Sequence, residues 1–254
     1  MTDMGMSTIS LDVTDAESIE RCHAEVAKLT GGRLDILVNN AGRTHTHPAT
    51  DLDMDDVRYT FESNVFGTMA MVKAFVDLLI AARGLIINTA SLSSITPYFF
   101  GSAYCATKGA IVSYSRTLRL ELAPFGVRVM CTMTGTTRSN TASHGHRVLP
   151  PDSLYQRVRD LFQWRLTFSQ TRATMPTEQY AHRLVTDSLK PEWPLILRRW
   201  FGRPDWFWYG GMAGATWFGH SLGEWLIDTV CWRLFQVYKL QNVLEDEKKR
   251  KKLQ

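Results

Sequence analysis

Short runs of branched apolar residues alternate with longer helical patterns along the first half of the chain. Residues 8–11 and 36–38 have the composition of strands, and the helical pattern over 16–29 between them stops at Gly31 and Gly32. This alternation predicts an α/β fold with a doubly wound parallel sheet covered by helices on both faces. The pattern continues with a helix over about 54–82, a strand over 85–88, a helix from Tyr104 to about 123, and a strand over 127–133.

Polar and small residues follow several of these predicted strands directly. They are Asp12, the run from Asn39 to Gly42, Ser91 and Gly135. Open parallel sheets bind their ligands beyond the carboxyl ends of the strands. We therefore expect a ligand site at this edge of the sheet.

Tyr104 and Lys108 lie four residues apart, so on a helix they share one face. A tyrosine keeps its proton up to a pH of about 10 unless a fixed cation favours the phenolate, and Lys108 is placed to be that cation. The hydroxyl of Ser91 is suited to donate a hydrogen bond to a carbonyl oxygen that gains negative charge. Together these side chains predict reduction of a carbonyl, or its reverse.

Several motifs in a fixed order support that chemistry: Leu-Val-Asn-Asn-Ala-Gly at 37–42, Ser-Asn-Val-Phe-Gly at 63–67, and Thr-Gly at 134–135. With Tyr104 and Lys108 they make residues 8–141 similar to the short-chain dehydrogenase/reductase family. The resemblance implies a Rossmann-like sheet and NADP(H) as cofactor, with NAD(H) as the alternative. It implies that Tyr104 donates the proton, that Lys108 lowers its pKa and binds the nicotinamide ribose, that Ser91 polarises the carbonyl, and that the Asn64 side chain positions a water.

The same resemblance implies a set of cofactor contacts. Asp12 matches the acidic position at the adenine, although Asp15 is the better N-cap of the following helix. Lys73 is a further candidate for a cofactor contact, but a solvated helix lysine is the simpler interpretation. The remaining matched positions are Asn40, Ala41 and Gly42 at the adenosine ribose, and Thr137 and Ser139 at the nicotinamide carboxamide, beside Tyr104 and Lys108.

A glycine-rich turn of the dinucleotide-binding type does not occur in residues 1–11. Measured against the family, the sequence starts just before the third strand, so a first β-α-β unit of roughly forty residues is missing. We expect residues 1–200 to form an N-terminally truncated catalytic domain, followed over 201–254 by a last strand at 206–209 and an aromatic helical extension. A truncated gene product and a degenerate relative are both consistent with this pattern.

Composition excludes several function classes. With 44% hydrophobic residues, 21% charged residues and a net charge of +4, the chain is of ordinary soluble type and has no basic stripe for nucleic acid. The cysteines at 22, 105, 131 and 231 are scattered, which favours a reducing compartment over disulfides or a zinc site. The histidine pairs at 45 and 47 and at 144 and 146 lack partner ligands, so we expect no metal and place them at the border of the substrate cleft.

All eight tryptophans lie at or beyond Trp164. Helices are predicted over 152–168, 177–188 and 222–240, and the last has a wide apolar face ahead of the basic run 248–252. Such a segment is typical of attachment to a membrane surface, with a cytoplasmic protein as the alternative. A core contact or a homo-oligomer interface would use the same apolar face.

The segments 11–15, 30–35, 65–85 and 121–129 and the aromatic C-terminal region narrow the resemblance to fungal NADPH-dependent 1-acyldihydroxyacetone phosphate reductases. That resemblance implies a small, lipid-like ketone or alcohol as substrate, and the cytosolic face of the endoplasmic reticulum or a lipid droplet as the location. Ketone reductases of fungal secondary-metabolite pathways belong to the same subgroup and are the alternative. A hypothesis of another class is a non-catalytic remnant that acts as a membrane-associated binding protein.

Overall fold

The computed structural model describes residues 5–140, 147–172, 174–194, 197 and 201–253. Its centre is a parallel sheet of four strands in the order β1-β2-β3-β4, formed by Ile36–Asn39, Leu85–Thr89, Arg128–Thr134 and Trp206–Tyr209. Ile36 is in register with Leu85, Leu85 with Arg128, and Cys131 with Trp206. The predicted α/β class, the strands predicted at 36–38, 85–88 and 127–133, and the last strand at 206–209 are therefore confirmed.

Nine α-helices surround this sheet in the described part of the chain. The helix α1 shows how the sequence sets its ends: the Asp15 carboxylate accepts a hydrogen bond from the Glu17 amide, and Gly31 closes the helix in the left-handed region at φ 65°. The helices are α1 Ala16–Thr30, α2 Met54–Phe61, α3 Gly67–Ala82, α4 Ser102–Leu122, α5 Arg159–Thr171, α6 Thr177–Ser188, α7 Ala213–Leu222, α8 Glu224–Leu234 and α9 Tyr238–Lys252.

Both faces of the sheet are covered, as a doubly wound arrangement requires. On one face, Ile86 and Val129 pack in a core that contains Ile19 of α1 and Phe75 of α3. On the other face, apolar side chains of β2, β3 and β4 pack against α6. These are Leu85, Ile87, Met130 and Phe207, with Tyr180 and Leu184 of α6. Burial on both faces accounts for the nearly continuous apolar runs of the strands.

The strand predicted over residues 8–11 is wrong, because this segment has no strand assignment in the structure. A strand exists only where its backbone pairs with a neighbour. In the strand order 3-2-1-4 of dinucleotide-binding sheets, the third strand is separated from the fourth by two others. The segment at 8–11 corresponds to that third strand and β1 to the fourth, so within the described residues it has no adjacent strand.

The predicted helix over 54–82 is continuous, but α2 and α3 are joined by a π-helical turn at Glu62–Phe66. It is the one helix in the described ranges with the length and apolar character needed to cross a membrane. Phe75 and Leu79 lie almost fully buried in the core, which accounts for the apolar composition of this helix.

Two other predicted helices have different bounds in the structure. The helix predicted over 152–168 begins as a 3-10 turn at Gln156–Val158 and becomes α-helical only in α5. The single helix predicted over 222–240 is divided among α7, α8 and α9. Gly223 at φ 120° separates α7 from α8, and Gln236 at φ 55° lies in the left-handed region between α8 and α9, so neither residue continues a right-handed helix.

The ends of β3 and β4 approach each other closely. The Gly135 amide donates to the Tyr209 carbonyl at 2.9 Å, and Thr136 forms an isolated bridge with Gly211. A Cβ atom at Gly135 would overlap the Gly211 carbonyl oxygen, so this approach requires glycine. The contact brings the start of α7 to the carboxyl edge of the sheet.

Candidate active site

A cavity of about 620 Å³ opens at the carboxyl edge of the sheet. The strand ends supply one wall, through Thr89, Ser91, Thr134 and Gly135, and helix α4 supplies Tyr104 and Lys108. The opposite wall comes from α7 and α8 and is mainly apolar. Its side chains include Phe218, Leu226, Ile227, Val230 and Leu234.

Tyr104 lies in the first turn of α4, facing the loop that follows β2. Ser91 caps the 3-10 turn Leu92–Ser94 by accepting a hydrogen bond from the Ser93 amide at 3.2 Å. Burial raises the pKa of Tyr104 to about 12, while the hydrogen bond with the Ser91 side chain and the nearby Ser93 hydroxyl oppose that rise. Tyr104 is therefore a phenol at neutral pH, within hydrogen-bonding distance of the Ser91 hydroxyl.

Lys108 lies one turn further along α4 and is 7% exposed. Its Nζ donates to the Thr89 carbonyl at 2.8 Å and lies 5.8 Å from the centroid of the Tyr104 ring. Burial lowers the pKa of Lys108 to about 8, so the ammonium form still predominates at pH 7. The expectation that Lys108 brings the pKa of Tyr104 below its usual value is wrong for this arrangement, because burial of the phenol outweighs the favourable contacts.

Asn64 lies within the π-helical turn and is 1% exposed. Its Oδ1 accepts from the Arg43 amide at 2.8 Å, and its Nδ2 donates to the Arg43 carbonyl at 2.9 Å and to the Thr107 Oγ1 at 3.1 Å. Both amide hydrogens are thus used within the protein. Asn64 joins the turn after β1 to the catalytic face of α4, and its predicted role in positioning a water stays a prediction.

The predicted cofactor residues divide into two groups. Asn40, Gly42, Thr137 and Ser139 border the cavity together with Tyr104 and Lys108. Three predicted positions do not border it. Ala41 borders a separate cavity of about 70 Å³ with Leu11 and Val13, Asp12 directs its Oδ1 to the Thr14 amide and hydroxyl, and Lys73 is exposed on α3.

The comparison with known proteins agrees with this geometry. The protein-family model for the short chain dehydrogenase matches residues 3–147, which is more than half of the chain. The chain belongs to the short-chain dehydrogenase family. Members are oxidoreductases that bind a nicotinamide cofactor.

Full-length relatives show how far the similarity extends. The short-chain dehydrogenase fogD of Aspergillus ruber is 38% identical over 249 residues, covering 97% of this chain and 83% of the relative. An NADPH-dependent 1-acyldihydroxyacetone phosphate reductase of Schizosaccharomyces pombe is 38% identical over 234 residues, covering 87% and 76%. The crystal structure of a short-chain dehydrogenase from Streptomyces avermitilis matches with a TM-score of 0.68 at 26% identity, covering 93% of this chain and 80% of the other.

The residues around Lys108 fit the nicotinamide half of such a cofactor. An ammonium group anchored on the Thr89 carbonyl still has N–H donors for ribose oxygens, and the Thr137 hydroxyl borders the same space. A glycine-rich turn for the pyrophosphate is not found in the described residues ahead of α1. In this short-chain dehydrogenase the fit therefore concerns the nicotinamide end.

Of the histidines predicted at the substrate cleft, His45 and His47 do not lie there. His45 is almost fully buried, its Nε2 is 3.0 Å from the Asp56 carboxylate, and its ring centroid is 5.7 Å from that of His47. Neither ring borders the large cavity, so their predicted position at the substrate cleft is wrong. His144 and His146 lie outside the described residues. The described ranges contain no group of three or more metal-ligand side chains.

Sequence reasoning missed two features of this short-chain dehydrogenase. The sequence predicts a membrane surface, a core contact or an oligomer interface for the apolar face of this region, but not that α7 and α8 line the cavity, because helical periodicity does not show what a face packs against. The buried Arg165 of α5 was not considered at all. A signal for it exists in the pattern Phe162, Arg165, Phe168, where a charged residue interrupts an apolar stripe with helical spacing.

The Asn64 bridge makes a first prediction. Asn64→Ala should lower the free energy of unfolding by about 1 to 3 kcal/mol, because it leaves the partly buried N–H and C=O groups of Arg43 without their partner and removes the connection to Thr107. Urea unfolding measures this change, with Asn242→Ala on the exposed face of α9 as the matched control. Equal stability of the two variants would contradict the bridging role.

Proposed function

We propose that this protein is an NADP(H)-dependent oxidoreductase that reduces the ketone of a lipid-like substrate to a secondary alcohol, or catalyses the reverse reaction. The observation that carries the proposal is the placement of Ser91, Tyr104 and Lys108 on one wall of a cavity whose opposite wall is apolar. The name of the Schizosaccharomyces pombe relative supports NADPH over NADH.

The chain's own residues account for the proton and for the charge on oxygen. Ser91 and Tyr104 both present hydroxyl groups to one point, where a ketone oxygen accepts two hydrogen bonds and becomes polarised. The nicotinamide cofactor supplies the hydride when it is bound. Tyr104 then passes its proton to the alkoxide oxygen, and the charge of Lys108 favours the phenolate that remains.

The substrate class follows from the cavity wall. The α7 and α8 side chains provide a surface suited to an alkyl or acyl chain, next to the polar group of Ser91 and Tyr104. A molecule with a ketone at one end and a chain at the other matches both walls. We propose 1-acyldihydroxyacetone phosphate as the first candidate substrate. The support for it is the name of the Schizosaccharomyces pombe reductase, which is 38% identical to this chain over 234 residues.

Replacement of the proton donor tests the reaction. Tyr104→Phe should lower turnover of NADPH with an acyl ketone by about 100-fold or more, since general acid catalysis contributes 10²-fold to 10⁴-fold. NADPH oxidation at 340 nm measures turnover, NADPH fluorescence measures binding, and Tyr238→Phe at the exposed start of α9 is the matched control. Wild-type protein that binds NADPH but turns over no ketone would favour the non-catalytic binding protein instead.

The pH dependence tests Lys108. Burial lowers its pKa to about 8, so the cation is present below that pH and lost above it, while Tyr104 with a pKa of about 12 stays protonated. We expect kcat/KM for ketone reduction to be level up to about pH 8 and to fall as pH rises through that value. Lys108→Arg keeps its charge and should lose the inflection. A wild-type profile that is level to pH 10 would exclude this role.

We further propose that the protein contacts a membrane surface through α7, α8 and α9. Trp225 is 68% exposed, Trp217 and Trp232 are also exposed, and α9 ends in the basic run 248–252. Trp225→Ser should reduce co-sedimentation with phosphatidylserine-containing vesicles, whereas Phe125→Ser, an exposed aromatic on the opposite edge of the sheet, should not. Equal loss in both variants, or no binding by the wild type, would contradict the proposal.

A further inference from the structure

Arg165 is a charged side chain buried beside the cavity. It extends from α5 and is 2% exposed, and it is the largest of the side chains that are almost fully buried in the described residues. Its guanidinium carbon lies 3.2 Å from the centroid of the Tyr98 ring, 5.2 Å from that of Phe235 and 5.9 Å from that of Phe168. Aromatic faces therefore surround the cation.

This guanidinium has no counter-charge among the described residues. Its Nε and Nη2 are buried without a hydrogen-bond partner there, and no carboxylate lies within ion-pair distance of it in those ranges. Outside the described ranges the sequence has one acidic side chain, Asp3. Arg128 shows the usual arrangement, since its Nη2 bonds to the Asp205 carboxylate at 2.8 Å. Buried arginines are nearly always paired in this way.

Cation–π contacts offset only part of the cost of burying Arg165. The ring faces attract the charge, but they do not satisfy N–H donors that lie in the guanidinium plane. Burial accordingly lowers the pKa of Arg165, although Tyr98, through its charge and a side-chain hydrogen bond, and the nearby Cys105 oppose this effect. A planar group with unsatisfied donors is suited to a carboxylate or a phosphate, which accept from two of its nitrogens at once.

The position of Arg165 connects it to the proposed reaction site. Tyr98, Phe168 and Phe235, the three rings that surround the cation, border the same cavity as Ser91 and Tyr104. Cys105, which follows Tyr104 in α4, interacts electrostatically with Arg165. The cation thus lies directly behind the aromatic part of the cavity wall, on the side of the catalytic helix.

We propose that Arg165 binds an anionic group of the substrate, a phosphate or a carboxylate, so that the substrate is an anionic amphiphile rather than a neutral ketone. The Tyr98 and Phe235 rings cover the guanidinium. One of these side chains therefore has to move away before an anion can contact the guanidinium. Phe235 is suited to this movement because it lies at the end of α8, immediately before the left-handed Gln236. The assignment of the anion to a substrate rests on the proposed function, whereas the binding itself does not.

Binding of short amphiphiles tests the proposal without any turnover. Isothermal titration of the wild-type chain with octyl phosphate and with 1-octanol compares the same alkyl chain with and without an anion. We expect octyl phosphate to bind at least about 10-fold more tightly, in line with hydrogen bonds to charged groups. Arg165→Gln should remove this preference while leaving 1-octanol binding unchanged, and Arg165→Lys should retain part of it. Arg159→Gln, an exposed arginine on the same helix, is the matched control.

Several results would overturn the assignment. Equal affinity of the wild type for octyl phosphate and 1-octanol would do so without any variant, even if Arg165→Gln failed to fold. Equal weakening of both ligands by Arg165→Gln would make Arg165 a packing residue. Inorganic phosphate that bound as tightly as octyl phosphate would show a site for a free anion instead of a substrate. Failure of the redox proposal appears separately, as tight octyl phosphate binding by a wild type that oxidises no NADPH.

Discussion

The position of α4 against the ends of β1 and β2 is the constraint on which the rest of the site depends. A row of buried amide and hydroxyl groups sets it: the Asn39 Nδ2 donates to the Asn88 Oδ1 at 2.9 Å, and the Asn88 Nδ2 donates to the Ser115 Oγ at 3.0 Å. Asn64 adds the connection from Arg43 to Thr107. Polar groups in a low-dielectric interior are costly unless paired, so this network favours one alignment of helix and strands. That alignment brings Tyr104 to Ser91 and Lys108 to Thr89.

The local sequence pattern predicted those helices and strands whose formation depends on residues nearby in the sequence. The strands β1 to β4, the helix of Tyr104 and the caps of α1 follow from composition and from single residues such as Asp15 and Gly31. The segment at 8–11 has the composition of a strand, but whether it forms one depends on an adjacent strand to pair with, which local composition does not show. Periodicity also failed over 222–240, where one left-handed residue, Gln236, outweighs an otherwise helical pattern.

The candidate site also has residues that the sequence predicts and residues that it does not. Tyr104, Lys108, Ser91 and Asn64 could be predicted because they occur in motifs at fixed spacings. The apolar wall could not, because its residues lie more than a hundred positions from Tyr104 and reach the cavity only through the close contact of Gly135 with Gly211. The result is a C-terminal region with two apolar surfaces, one lining the cavity through Ile227 and one exposed through Trp225.

Two buried cations lie at different places around the cavity, Lys108 in its lining and Arg165 behind its aromatic wall. Lys108 bonds to the Thr89 carbonyl at the strand ends and borders the cavity there. Arg165 lies behind the Tyr98 and Phe235 rings of the cavity wall. On the proposed function, a substrate that carries an anion beside its alkyl chain satisfies donors of Arg165 that have no partner among the described residues. On that proposal the cavity favours amphiphiles, and the carbonyl of such a molecule lies at the hydroxyl groups of Ser91 and Tyr104, which border the same cavity.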